Sequence, residues 1–278
     1  MGHRFVIKVS SIMMMHHFSY AIHILLLIRR ALQEMGPLEP MNIFLRLEMD
    51  RMNKVITTVR NDLLDLQLAI DGTIIMNDSL RDALEAIYQA RVPELWAKVS
   101  WESSTLGFWF TELLERDQQF RKWCFKAKPT SFWISGLFNP TGFLTAMRQE
   151  VTRAHHGWAL DSVSQRNKVT SFLNPSEVTE PPTEGVYIYG LHLEGASWDL
   201  KNGCLKESVP KILFEPMPLL HIYAINSTSG KSPDVYECPV YKKPKRTDLT
   251  YVTSIDLKCH RNPNHWILRG VALLSDIK

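Results

Sequence analysis

His192, Glu194, Trp198 and Asp199 crowd the end of the stretch PPTEGVYIYGLHLEGASWD (181–199). An imidazole beside a carboxylate can work as an oriented general base. Strand alternation puts Val186, Ile188, Gly190, His192 and Glu194 on one face. Tyr187, Tyr189, Leu191, Leu193 and Gly195 take the other face, so the pair lies opposite the main hydrophobic set. That is the pattern of a solvated strand face, and no nucleophile in a recognisable turn lies nearby. EGASWD then reads as the turn ending the strand, with Trp198 plugging the end of a barrel.

Other stretches resolve in the same direction. STSGKSP (227–233) ends like a phosphate-binding loop, but Ile225 stands where the motif needs its first glycine. Pro233 and a strand pattern follow it, where a phosphate site needs a helix N-terminus. No nucleotide, nucleophile-elbow or zincin motif occurs elsewhere. His155-His156 close a helical pattern, where an imidazole favours the macrodipole, and adjacent helical side chains do not face one metal. Cys124, Cys204, Cys238 and Cys259 form no C-x-x-C pair, so zinc has no support. They read as reduced, intracellular thiols. The basic run YKKPKRTD (241–248) carries a proline between two strand patterns and reads as a solvated hairpin loop. Catalytic residues, cofactors and metal ligands are therefore all assigned as none.

The elements behind these stretches fall into two kinds. Composition is globular, at 45% hydrophobic and 22% charged, and a net charge of +3 is too small to indicate nucleic acid or an anionic membrane. Leu45, Met49, Met52, Ile56, Val59, Leu63, Leu66 and Ile70 alternate steps of four and three. They form one apolar stripe on a helix roughly 40 Å long, opened by Pro40 and stopped by Asp71-Gly72. A second helix starts at the N-cap Asn77, with Leu80, Leu84 and Ile87 on one face. Pro93 interrupts the chain. A third runs from about Ser104 to Trp123, its aromatics read as packing. SFWISGLF (131–138) leans to strand. Asn139 caps a helix with Pro140 at its first position and Phe143, Met147, Val151 and Ala154 on one face. Beyond residue 160 the runs are short, β-branched or aromatic, and punctuated by Gly, Pro, Asn and Asp. The predicted class is α+β: an N-terminal helical bundle with one long amphipathic helix, then an antiparallel β-barrel-like unit. The boundaries read 1–30, an extension; 31–180, helical; and 181–278, barrel, with the Pro-rich loop 174–185 as divider. The extension has an apolar run, Ala21–Ile28, too short to span a membrane and followed by Arg29-Arg30. It reads as an idiosyncratic start packed as a short helix.

Nine stretches, in order, resemble one family. GPLEPMNIFLRLEMDRMNKVI, LQLAIDGTIIM, LRDALEAIYQARVPELWAKVSW, GFWFTELLERDQQF, FNPTGFLTAMRQEVTR, GWALD, PPTEGVYIYGLHLEGASWD, CPVYKKPKRTDL and HWILRGVALL look like the C-terminal region of a dynein heavy chain of the outer-arm axonemal type. The resemblance covers about residues 31–278. Residues 1–30 depart from it, and 161–175 is more polar than the apolar strand the family would place there. The resemblance implies helices followed by a barrel, lying across a ring of AAA+ modules, with ATP and microtubule sites elsewhere in the motor. It implies a non-catalytic brace that modulates movement in cilia and flagella. Its partners would be the AAA+ ring and other dynein subunits, with microtubules engaged only through the full motor and no nucleic acid or membrane. Its location would be cytoplasm, cytoskeleton and axoneme. The eight-residue stripe becomes the candidate ring interface, part of it open when the ring is absent. Two other readings stay open: a free-standing module binding a peptide or glycan near Trp198, Tyr187 and Tyr189, and a truncated paralogue with no independent role.

Overall fold

The computed structural model describes residues 39–226 and 234–277. The extension 1–30 and the turn 227–233 lie outside the described residues. Internal packing divides the rest into two compact units. Leu45–Ala127 belong to the first; Glu39–Phe44 and Lys128 onward belong to the second. The division thus falls well ahead of the Pro-rich loop.

The first unit is helical. Its main element is helix α1, which runs Pro40–Ile70, 31 residues or about 46 Å, and belongs to this unit from Leu45 onward. Pro40 sits where a missing N–H costs nothing. Seven of the eight stripe residues, Leu45 to Leu66, are each 4% exposed or less, and Ile70 is half-buried. From Leu45 to Leu66 the stripe is packed inside the protein, and Ile70 is its partly open position. Helix α2, Asp78–Tyr88, is capped by Asn77, whose Oδ1 accepts from the Leu80 amide at 2.8 Å. Leu80 and Ala83 pack with Leu66 of α1, edged by Leu84 and Ile87.

The interruption at Pro93 is itself a helix start. In helix α3, Glu94–Val99, the Pro93 carbonyl accepts from the Trp96 and Ala97 amides. It delivers Trp96, fully buried, whose indole N–H donates to Asp62 Oδ2 of α1 at 2.6 Å. Burial raises the Asp62 carboxyl above its ordinary range, and the indole bond only partly offsets that. Helix α4, Leu106–Phe125, begins slightly later than expected because Thr105, not Ser104, supplies the cap, accepting from Phe108 N at 3.2 Å. Trp109, Phe120 and Trp123 are buried as packing, while Phe108 is exposed. Trp109 stacks on Trp101, and the Arg116 guanidinium lies 3.8 Å from the Trp101 ring centre.

The second unit carries the strands. In order along the sequence they are β1 Ser131–Trp133, β2 Val163–Val169, β3 Val186–Tyr189, β4 His192–Glu194, β5 Ala196–Asp199, β6 Cys204–Glu207, β7 Phe214–Pro216, β8 Leu220–Asn226, β9 Val235–Tyr241, β10 Tyr251–Lys258 and β11 Ala272–Leu274. Helix α5, Pro140–Ala154, packs on β8, with Asn139 and Pro140 capping as predicted. Phe143, Met147 and Val151 face the core, whereas Ala154 is exposed. The short helix α6, Pro263–Leu268, precedes β11.

The antiparallel barrel is corrected by this topology. The strands form open sheets ordered β1-β3-β8-β2, β10-β9-β11-β4-β7 and β5-β6, and no barrel closes among the described residues. Two pairings are parallel, β1 with β3 and β11 with β9. Each parallel strand reaches its place through a crossover rather than a hairpin. In β1's case it arrives from residues read as part of the helical half.

The two larger sheets meet through a side chain. Strand β2 is the polar stretch 163–169 and forms an edge, paired along its length with β8. Its Asn167 amide donates to the Asp256 carbonyl and accepts from the Asp256 N–H, both at 2.8 Å, on edge strand β10. One Asn side chain thus stands in for the peptide group that a continuous ladder would provide. Gln165 adds a bond to Thr253 Oγ1 at 3.2 Å. Polarity here is the fastening itself, so an apolar strand is not needed.

Two measurements test these joints. Trp96→Phe keeps most of the buried ring but orphans Asp62, and should cost about 1–3 kcal/mol in urea unfolding. Because folding raises the Asp62 pKa, the folded state binds that proton more tightly than the unfolded one. Wild type should therefore gain stability relative to Asp62→Asn as pH falls toward the ordinary carboxylate range, and lose that advantage as pH rises. A pH-independent difference would contradict this. For the sheet joint, Asn167→Ala should cost about 1–3 kcal/mol. Asn167→Asp should cost more, since it sets a second acceptor against the Asp256 carbonyl; an Asp variant milder than the Ala variant would refute the two-point bridge.

Candidate functional site

The stretch 186–199 does not form one strand. At Gly190 the backbone takes φ +89°, a conformation open to glycine, and a Cβ there would lie 2.7 Å from Trp133 Cδ1. The kink ends β3 in one sheet and starts β4 in another. It also shifts the face: Val186 and Ile188 are buried before it, Leu191 and Leu193 after it. Ser135 Oγ holds the corner by donating to the Gly190 carbonyl at 3.0 Å.

His192 and Glu194 do share one side of β4, both half-buried. Glu194 is ion-paired to Arg246. Burial pushes the His192 imidazole below its usual range, which favours the neutral ring. Asp199 and Trp198 sit on β5, in the separate two-stranded sheet. Trp198 is buried there. The turn comes later than EGASWD. Asp199 accepts from the Lys201 and Asn202 amides at 2.9 and 3.1 Å, and from the Asn202 side chain at 2.7 Å. Those bonds hold its carboxyl below the usual range. The four residues are thus a packing Trp, a turn cap, an ion-paired carboxylate and a desolvated His.

The remaining motifs are placed as follows. The basic run joins β9 to β10 as a hairpin loop, with Arg246 donating to the Gly270 carbonyl. Lys242 Nζ donates to the Phe138 carbonyl at 3.1 Å. His155 pairs with Glu184 and stacks on Trp158 at 4.0 Å. All four cysteines are buried and free, and desolvation raises each thiol pKa. Among the described residues no cluster of His, Cys, Asp and Glu is arranged to hold a metal, and no helix is long and apolar enough to cross a membrane.

Two surfaces remain. The first is the open face of α1. Ile43, Leu47 and Leu68 stand exposed, the last two at 56% and 40%, with Asp50, Lys54, Thr57, Asn61 and Asp65 between them. Sequence periodicity finds the buried stripe but passes over these apolar residues, because they interrupt a polar face.

The second is a cavity of about 570 Å³ beneath the loop 177–184 in the second unit. Its floor is a row of rings. Phe172 meets Tyr187 edge-on at 6.2 Å, Tyr187 meets His221 at 5.1 Å, and His221 meets Tyr223 at 5.0 Å. Register explains the row: Tyr187 of β3 lies opposite His221 of β8, and Tyr223 follows two residues on, on the same face. Glu184 is held from two sides, its carboxylate by His155 and its carbonyl by His221 Nε2 at 2.7 Å. Gly185 lets the loop come this close, since a Cβ there would lie 2.0 Å from the Ile222 carbonyl oxygen. Of the three aromatics expected around a binding site, Tyr187 lines this cavity; Trp198 and Tyr189 do not.

Comparison with known proteins points to one family. Residues 11–275 match the family described as the C-terminal domain of the dynein heavy chain. The match begins inside the stretch set apart as an extension. The protein is 61% identical over 251 residues, 90% of its length, to dynein axonemal heavy chain 8 of Mus musculus. It is 42% identical over 245 residues, 87% of its length, to the dynein gamma chain, flagellar outer arm, of Chlamydomonas reinhardtii. Identity to the dynein-1-beta heavy chain, flagellar inner arm I1 complex, of the same alga is 37% over 242 residues. The 278 residues span only 5% of the length of each of these relatives. With almost its whole length matched, the protein belongs to the family of C-terminal domains of dynein heavy chains.

Proposed function

We propose that this protein is a non-catalytic part of an axonemal dynein motor, bracing the AAA+ ring and modulating movement along microtubules in cilia and flagella. Its place is then the axoneme, within the cytoskeleton and cytoplasm. Its partners are the ring and other dynein subunits, and it meets microtubules only through the rest of the motor. The relatives' names support the axonemal assignment.

The observation that carries the brace is α1. A rod of about 46 Å is fixed along one side by a stripe buried from Leu45 to Leu66, while its opposite face keeps apolar side chains near both ends. From Leu47 to Leu68 the rise is about 32 Å. The stripe Leu45, Met49, Met52, Ile56, Val59, Leu63, Leu66 and Ile70 gives the rod its stiffness. The face carrying Leu47 and Leu68 makes the ring contact. Exposed apolar residues at separated points of a rigid helix suit a strut better than a mobile effector.

The purified 278-residue protein should co-migrate with an axonemal dynein motor fragment lacking its own C-terminal region. Leu47→Glu and Leu68→Glu, at positions already in solvent, should each weaken that association at least tenfold with helicity unchanged by circular dichroism. Association unaffected by both would remove the strut. Nucleotide turnover by the protein should stay at background; turnover abolished by a change within it would overturn the non-catalytic reading.

A further inference from the structure

We propose that the ring-floored groove under loop 177–184 is a docking site for an extended segment of a partner polypeptide bearing lysine or arginine. The inference does not depend on the motor reading. The groove combines two features that select a cation. Its floor is lined by the rings of Tyr187, His221 and Tyr223 at spacings of 5.0–5.1 Å, and aromatic rings attract ammonium and guanidinium groups. Its rim carries Glu177, Glu180 and Glu184, and no Lys or Arg is among the residues lining it. The lining thus carries three carboxyl groups and no Lys or Arg, in a protein whose overall charge is +3.

The carboxylates are not equivalent. Glu177 is occupied by the Leu173 amide and the Asn174 side chain, both at 3.1 Å. Glu184 is occupied by His155. Glu180 makes no hydrogen bond or ion pair with any described residue and is exposed at the groove mouth. It is the group free to meet an incoming cation. The hydroxyls of Tyr187 and Tyr223 likewise make no hydrogen bond to any described residue, leaving two donors for a partner's backbone carbonyls. At about 570 Å³ the groove has room for a few residues rather than a folded surface. Pro181 and Pro182 stiffen one wall, so docking loses little conformational entropy there.

The test presents the full 278-residue protein with a positional-scanning library of acetylated hexapeptides at low salt. Lysine or arginine should be enriched at one or more positions. Binding of the enriched pool should fall at least tenfold in Glu180→Lys, an exposed change that touches no partner, and also in Tyr223→Ala. Lys201→Glu, on the turn after β5, should leave it unchanged. No enrichment of basic residues, or enrichment that survives Glu180→Lys in a protein with wild-type circular dichroism, overturns the proposal.

Discussion

The second unit depends on one backbone constraint, the positive φ of Gly190. Without it, 186–195 would run on as one strand, and every side chain beyond the kink would exchange faces. With it, the same ten residues serve two sheets, and both halves keep their aliphatic residues inside. The consequences reach every functional question. Tyr187 stays over the first sheet and joins the ring row. His192 and Glu194 move to the second sheet, against β11 and β7. Trp198 goes further still, into the β5-β6 pair. Residues adjacent in sequence thus lose the proximity that would have made them a constellation.

This is also why the sequence is legible in one half and not in the other. Helical signals are local. The alternating steps from Leu45 to Leu66 report a buried face because neighbouring turns of one helix carry them. Asn77 and Asn139 report helix starts because a cap bonds two or three residues away. Helix α3 escapes because a proline that breaks one helix can equally begin another. In the β half, short runs are recognisable as strands, but pairing is non-local. Nothing in FEP or ALL says that one will flank β4 and the other will slip between β4 and β9. The barrel expectation fails at that step, since alternation fixes faces but not partners.

Polar edge residues raise the same issue from the other side. Strand β2 reads as too polar for a strand because strands are recognised by their apolar face. Its polar residues are used across the edge, where Asn167 completes the hydrogen bonding of Asp256. The candidate groove is similarly hidden. Its rings come from β3, β8 and the residues before the loop, and its carboxylates come from a stretch that reads only as a linker. The one local clue is the double proline at 181–182 ahead of Gly185, which marks a loop held close to a sheet.

The two surfaces that remain differ in the physics of attachment. The open face of α1 offers Leu47 and Leu68, whose burial against a partner gains from the removal of apolar surface and is little affected by moderate salt. The groove offers carboxylates at its mouth, and attraction between exposed charges is screened over about 8 Å at physiological ionic strength. An attachment made through the helix should therefore persist as salt rises, while one made through the groove should fade. A protein with both can stay fixed to one partner while exchanging another.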